Sequence, residues 1–184
     1  MAAMASAVIL ALALAWALTA YNRLVRLRNQ VRTGWADIDV QLQRRHDLVP
    51  RLVEAVRAYA AHERATLEAA TQLRERALAL RAPAELGEVE SALERALGRV
   101  FALQEAYPEL KASGNFAQLQ RDLVAVEDTL QYARRFYNGA VRDYNTARER
   151  IPDAIVARIG AFAPAGFFQA GEGQRAALAV EPAR

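Results

Sequence analysis

The sequence predicts an all-α protein in which an N-terminal transmembrane helix is continuous with an antiparallel, up-and-down four-helix bundle. Three observations support this prediction. The first twenty residues contain no charged side chain, four later stretches repeat apolar residues at steps of three and four, and the prolines and glycines fall mostly between these stretches. The chain has no cysteine, which excludes disulfides and thiolate chemistry.

Residues 1–20 are expected to form a transmembrane anchor. About twenty apolar residues in a helix span the roughly 30 Å hydrocarbon core of a bilayer. A cleaved secretory signal normally begins with basic residues, which do not occur here, but small residues at 15 and 17 keep cleavage open as an alternative, as does a buried soluble helix. The predicted anchor residues are Val8, Ile9, Leu10, Leu12, Leu14, Trp16, Leu18 and Tyr21, the two aromatic ones near the membrane interface.

The charges that follow this segment predict its orientation. Arg23, Arg26, Arg28 and Arg32 precede the first acid, Asp37, and no basic residue precedes the span. The positive-inside rule therefore places the N-terminus outside and the rest of the chain in the cytoplasm. An exported periplasmic body is the alternative if the span is cleaved or inverted.

The first two helices are predicted to meet at the sequence HDLVP, residues 46–50. One apolar stripe covers residues 24–42 and a second covers residues 49–80. Pro50 lacks an N–H and clashes with the carbonyl of His46, whereas Asp47 can cap a helix that has Pro50 in its first turn. We predict a hairpin corner at His46, Asp47 and Pro50, with a kinked continuous helix as the alternative.

The third and fourth helices are separated by clear turn signals. Pro83 interrupts the second stripe, a third stripe follows over residues 86–107, and PELKASGN (108–115) is predicted to be a loop. The fourth stripe, residues 116–144, ends before Pro152.

Together these stripes predict how the chain is organised. Sustained apolar repeats favour close packing of long helices, and short connections make neighbouring helices antiparallel. A rod-like dimeric coiled coil is the structural alternative. The expected segments are the anchor at 1–20, the bundle at 21–151, a short amphipathic segment at 152–168 and a flexible tail at 169–184.

No catalytic or cofactor motif is found in the sequence. HERAT (62–66) lacks the second histidine of a zinc-protease helix, the two histidines share no ligand spacing, and no glycine-rich phosphate loop occurs. Arginines alternate with acids and the net charge is only +3, which does not favour nucleic-acid binding. We therefore predict no catalytic residue, metal, cofactor, small-molecule ligand or nucleic-acid partner.

Two patterns nevertheless provide candidate functional or interaction residues. Glu63, beside His62, falls in the apolar seam; pairing with an arginine is favoured, and a buried acid with a shifted pKa is the alternative. A Tyr-Asn pair recurs one heptad apart, which favours a packed tyrosine ladder over a partner-binding surface. The candidates are Glu63, His62, Tyr137, Asn138, Tyr144 and Asn145.

The segment 153–168 carries a short apolar face of Ile155, Val156, Ile159 and Phe162. If the fourth helix returns towards the membrane, this face and the phenylalanines Phe162, Phe167 and Phe168 would meet the lipid interface. Packing across the open end of the bundle is the slightly favoured alternative.

Three segments, at 21–68, 105–123 and 127–145, closely resemble the LemA family of bacterial membrane proteins. The similarity runs in order through residues 21–168, and IDVQLQRRHDLVP and RRFYN…VRDYN are its most specific parts. It implies a short N-terminal span in the inner membrane and a cytoplasmic helical bundle, and it provides no catalytic residues. Residues 169–184 depart from any pattern of the family.

The expected function is therefore that of a membrane-anchored, non-enzymatic scaffold or adaptor. Its expected partners are the lipid bilayer and an unidentified protein partner or further copies of the same chain. The alternative is a ligand sensor or enzyme with a bundle-core pocket around Glu63, His62, Tyr137 and Tyr144.

Overall fold

The computed structural model describes residues 1–168, and this part of the chain is all-helical. The predicted tail at 169–184 lies outside the described residues. The helices are α1 (Ala2–Arg57), α2 (Arg64–Ala79), α3 (Pro83–Ala102), α4 (Pro108–Lys111), α5 (Gly114–Glu149) and α6 (Asp153–Ile159), with a 3-10 turn at Leu103–Glu105 between α3 and α4.

The first part of α1 is long and apolar enough to cross a membrane. Apolar side chains that remain at the surface of a fold are the ones that lipid can cover. Seven predicted anchor residues are 45% to 72% exposed and Trp16 is partly exposed; the seven are Val8, Ile9, Leu10, Leu12, Leu14, Leu18 and Tyr21.

The hairpin corner predicted at His46, Asp47 and Pro50 is wrong, because α1 continues through all three residues. Pro50 has no N–H to donate to the carbonyl of His46 four residues earlier. The Nε atom of Arg74, on α2, donates to this carbonyl at 2.7 Å. Asp47 caps no helix; it is exposed and accepts a hydrogen bond from the Nε2 atom of Gln43 at 3.0 Å.

The first interhelical break instead lies at residues 58–63, inside the second predicted stripe. Turn hydrogen bonds replace helical ones here, since the amide of Glu63 donates to the carbonyl of Ala60 at 3.1 Å. Glu63 and Thr66 are the two polar members of that stripe, and they lie at the break and in the first turn of α2. The apolar spacing of three and four residues continues across this break, so the sequence pattern did not indicate it.

The later boundaries differ less from the prediction. Pro83 begins α3, where its missing N–H removes no helical hydrogen bond. The third stripe ends earlier than predicted, at Ala102, and the predicted loop 108–115 contains the short helix α4. The fourth stripe forms the middle of α5, which continues to Glu149.

The described chain divides into two compact units. Within the described residues, the anchor unit comprises Met1–Asp37 and Ala133–Gly166, and the core unit comprises Ile38–Tyr132 with Phe167 and Phe168. α1 and α5 each contribute to both. In the anchor unit, α1 and α5 approach closely at Gly34, where an added Cβ would lie 3.1 Å from the Cα of Tyr137.

Each unit has its own apolar core. Four helices, α1, α2, α3 and α5, supply most of the core of the core unit, including Leu52, Val56, Leu67, Ala70, Leu93, Val100, Phe116 and Val126. The core of the anchor unit is smaller and consists of Leu24, Tyr144, Ala147, Ala157 and Phe162, with partly buried neighbours.

Candidate functional site

A buried charged cluster of Arg45, His46, Glu90 and Glu127 lies within the core unit. Arg45 and His46 are adjacent on α1, Glu90 is on α3 and Glu127 is on α5. The first three side chains are almost completely buried, and Glu127 is partly exposed. Charged side chains are rarely buried to this degree unless they are paired.

The carboxylate of Glu90 is the centre of this cluster. Its Oε2 atom accepts a hydrogen bond from Nη1 of Arg45 at 3.1 Å, and its Oε1 atom lies 2.6 Å from Nε2 of His46. A carboxylate only accepts, so Nε2 of His46 carries the hydrogen in this contact. Arg45 also forms an ion pair with Glu127.

These contacts connect the helices of the core unit through polar groups. The cluster joins α1 to α3 and α5, and the hydrogen bond from Arg74 to the carbonyl of His46 joins α1 to α2. Each charge of the cluster faces a partner, so none of them bears the cost of an unpaired buried charge. Within residues 1–168, no group of three or more His, Cys, Asp or Glu side chains could hold a metal ion.

The candidate pair Glu63 and His62 lies elsewhere in the core unit. His62 is exposed in the turn between α1 and α2, and Glu63 is the partly buried N-cap residue of α2. Oε1 of Glu63 accepts a hydrogen bond from the hydroxyl of Tyr107 at 3.1 Å, whereas the sequence favoured an arginine as its partner. This hydrogen bond is the main cause of a raised pKa for Tyr107.

The Tyr-Asn repeat holds the segment that follows α6. The hydroxyl of Tyr144 donates to the carbonyl of Ala163 at 2.8 Å. Asn145 donates from Nδ2 to the carbonyl of Ala165 at 2.9 Å and accepts from the amide of Ala165 at 3.0 Å. The hydroxyl of Tyr137 donates to the carbonyl of Gly166 at 2.7 Å.

We call Tyr137, Tyr144 and Asn145 the terminal clamp. All three, with the partly buried Asn138, belong to the anchor unit, whereas Glu63 and His62 belong to the core unit. Burial raises the pKa of Tyr137 and of Tyr144 above the ordinary tyrosine value of 10.0. Positive charge on nearby arginines partly opposes the increase at Tyr144.

The same segment places Phe162 against α1. Its ring meets the ring of Tyr21 edge to face at 5.5 Å between centroids, and the guanidinium of Arg28 lies 5.0 Å from its centroid. Phe162 and Phe168 are both buried, which agrees with the slightly favoured expectation that this segment packs on the protein and not with the lipid-contact alternative for these two rings. Phe167 remains exposed.

Sequence reasoning missed Arg45, Glu90, Arg74 and Glu127. A usable signal existed for Arg45, which lies three residues after Leu42 and four before Val49 and so continues the apolar stripe of α1. Glu90 similarly follows Leu86 by four residues and precedes Leu97 by seven. The sequence contains no comparable signal for the pairing of Arg74 with a backbone carbonyl.

Comparison with known proteins gives the chain its family. A model of the LemA family matches residues 34–181. The chain belongs to the LemA family. The match includes residues 169–181, for which the sequence alone suggested no relationship.

This chain is similar to magnetosome proteins of two bacteria. Magnetosome protein MamQ 2 and magnetosome protein MamQ 1 of Paramagnetospirillum magneticum are each 25% identical over 178 residues, covering 81% of this LemA-family chain and 64% of the relative. Magnetosome protein MamQ of Magnetospirillum gryphiswaldense is 23% identical over 177 residues, with 80% and 64% covered. This chain therefore spans less than two thirds of the length of these relatives.

Proposed function

We propose that this LemA-family protein is a single-pass inner-membrane protein that holds a non-enzymatic helical scaffold in the cytoplasm and presents helix faces to protein partners. One observation carries the proposal: α1 is a single helix that begins in an exposed apolar stretch and ends in the core of the core unit. A continuous helix connects membrane and folded body without a flexible linker. The arginines after the span support the cytoplasmic location.

The scaffold is proposed to be an antiparallel, up-and-down bundle of α1, α2, α3 and α5. These four helices supply most of the core of the core unit. The connections at 58–63 and 80–82 are short, which favours antiparallel neighbours. The buried charged cluster supports a fixed register, as a rigid scaffold requires.

The outer surface of α5 is the proposed partner face. Phe136, in the anchor unit's part of this helix, is an exposed large apolar side chain, and Val124 and Tyr132 are exposed ones in the core unit's part. Aromatic residues are enriched where proteins contact one another, and isolated charged residues are depleted there. The exposed aromatic ring of Phe136 is therefore suited to an apolar partner surface.

A ligand sensor or enzyme receives less support from the same residues. The terminal clamp directs its hydroxyl and amide groups at carbonyls and an amide of the chain itself. Glu90 likewise directs both carboxylate oxygens at Arg45 and His46. These polar groups therefore serve the packing of the protein. The magnetosome relatives are longer than the region that this chain matches, so the proposal takes no further function from them.

Site-specific photocrosslinking in cells tests the scaffold proposal. A photoreactive phenylalanine analogue replaces Phe136, and a matched control replaces Arg142, whose side chain is exposed on the same helix. We expect a reproducible adduct with one protein from position 136 and not from position 142. An adduct of twice the chain's own mass would identify a second copy as the partner. The absence of a specific adduct at position 136 would contradict the proposal.

A further inference from the structure

The short helix α6 presents isoleucines to its surroundings. Ile155 and Ile159 are 58% and 82% exposed, and Ile151, four residues before Ile155, is 84% exposed. The residues of the apolar face predicted for this segment therefore differ in exposure: Phe162 is buried, whereas Ile155 and Ile159 are exposed. Ile155 and Ile159 lie four residues apart on α6, and Ile151 lies in the turn before the helix. We call these three exposed side chains the apolar stripe.

The contacts of α6 place this stripe at the end of the apolar part of α1. Oδ2 of Asp153 accepts a hydrogen bond from Nη1 of Arg23 at 3.1 Å, and Phe162 packs on Tyr21. An α-helix rises about 1.5 Å per residue, so Arg23 lies about 5 Å beyond residue 20 along the helix. The headgroup region on each side of a bilayer is about 5–7 Å thick. With residues 1–20 in the bilayer, as proposed above, α6 would lie at the level of the lipid headgroups.

The charges beside the stripe suit the same environment. A cleft of about 530 Å³ next to α6 is lined by Arg148 and Arg158 together with Glu149. Arg158 is exposed in the last turn of α6, beside Ile159. Basic side chains next to an apolar stripe are typical of elements that lie in a membrane interface and contact anionic headgroups.

We propose that α6 is a second membrane contact, in which Ile151, Ile155 and Ile159 insert into the headgroup region of the leaflet from which α1 emerges. The proposal rests on the membrane anchorage of α1 proposed above. With only the span in the bilayer, α1 is free to rotate about its own axis. A lateral contact through α6 fixes that rotation, and the ion pair between Arg23 and Asp153 transmits the constraint to α1.

Fluorescence with single cysteines tests this contact in the full-length chain. The protein has no cysteine, so each introduced thiol carries the only label. Ile155→Cys and Ile159→Cys are labelled with an environment-sensitive dye and reconstituted into vesicles of phosphatidylcholine and phosphatidylglycerol, with or without brominated lipids as quenchers. Leu12→Cys is the control inside the span, and Val40→Cys is the exposed control, about 30 Å beyond residue 20 along α1.

We expect dyes at 155 and 159 to show blue-shifted emission and a loss of fluorescence with brominated lipids, whereas the dye at 40 shows neither. Quenching at 12 without quenching at 155 and 159 would overturn the α6 proposal and leave the anchorage intact. Absence of quenching at 12 would overturn the anchorage as well. A blue shift at 155 that is insensitive to brominated lipids and disappears on dilution in lipid would assign the stripe to a second copy and overturn the lipid contact. Circular dichroism of each labelled variant verifies its helical fold.

Discussion

Arg45 and Glu90 form an ion pair whose side chains are only 2% and 0% exposed, with Nη1 and Oε2 3.1 Å apart. Removing two charges from water costs several kcal/mol per ion, and their attraction offsets this cost only when the geometry is good and other polar atoms are satisfied. Here His46 occupies the second oxygen of Glu90, and Glu127 is the second partner of Arg45. The pair therefore depends on its whole environment.

Replacing Glu90 by glutamine should destabilise the protein strongly. The substitution keeps the shape of the side chain but leaves the buried guanidinium of Arg45 without its most buried counter-charge, at a cost of about 3–5 kcal/mol. The free energy of unfolding is measured by chemical denaturation in detergent. Glu88→Gln, at an exposed position on the same helix, is the matched control and should change it by less than about 0.5 kcal/mol. Equal effects of the two variants would contradict a structural role for the cluster.

The effects of substituting Arg74 and Pro50 on stability should be coupled. Pro50 has no N–H to donate to the carbonyl of His46, and Arg74 donates to that carbonyl instead. Arg74→Met should cost about 1–3 kcal/mol, since the carbonyl of His46 loses its donor. In a Pro50→Ala background, the new N–H at position 50 can donate to that carbonyl, so the same substitution should cost less. A double-mutant cycle measures the difference.

The control for that cycle is Arg76→Met, at an exposed position of α2. It should cost the same in both backgrounds. Additive effects of Arg74→Met and Pro50→Ala would show that the proline and the arginine act independently and would refute this explanation of the uninterrupted helix.

Asn145 should control the protection of one particular amide. Asn145→Ala removes the acceptor of the Ala165 amide, so hydrogen exchange at Ala165 should become faster by about tenfold to a hundredfold. Tyr144→Phe removes only a bond to Ala163 and should affect Ala165 less. Exchange measured by NMR or by mass spectrometry of a short peptide distinguishes the two. Equal protection of Ala165 in wild type and Asn145→Ala would show that other contacts hold the segment.

The terminal clamp should weaken at alkaline pH. Burial raises the pKa of Tyr137 and Tyr144, so the folded state holds these protons more tightly than the unfolded state. The resulting stability is fully present below the unfolded pKa of about 10 and decreases as pH rises through the folded values. Unfolding free energies between about pH 8 and pH 11 measure this decrease.

The double variant Tyr137→Phe, Tyr144→Phe provides the comparison for the alkaline titration. It lacks both raised phenols and should lose less stability than the wild type over the same pH range. Identical pH profiles would mean that ionisation of these two side chains does not influence the fold.

The apolar periodicity of the sequence correctly predicted an all-helical protein. The main error, the corner at Pro50, arose because the proline was given more weight than the regular spacing of the apolar positions on either side of it. The positions Ile38, Leu42, Arg45, Val49 and Leu52 follow one another at steps of four and three without interruption. A turn between two helices would normally interrupt this regular spacing of buried positions. The proline suggested a break, whereas the uninterrupted phase indicated a continuous helix with Arg45 in its buried face.

Long-range pairing was less accessible than periodicity. Glu90 could be assigned to a buried face, but its distance from Arg45 depends on how α1 and α3 approach each other in the fold. The terminal clamp illustrates the same limit, because the Tyr-Asn repeat was visible but its partners are backbone groups of residues 163–166. Every residue has a backbone carbonyl, so the sequence of residues 163–166 does not reveal which carbonyls accept these hydrogen bonds.

Cysteine accessibility in cells tests the central claim, a span with a cytoplasmic body, most directly. Met4→Cys places a single thiol near the outer end of the proposed span, before the anchor residues that begin at Val8, and Val40→Cys places one after the span; both positions are exposed. A membrane-impermeant maleimide is applied to intact and to permeabilised spheroplasts, and the membrane fraction is analysed for full-length protein. We expect labelling at position 4 in intact spheroplasts and at position 40 only after permeabilisation. Labelling at position 40 in intact spheroplasts, or a shortened protein outside the membrane fraction, would contradict the claim.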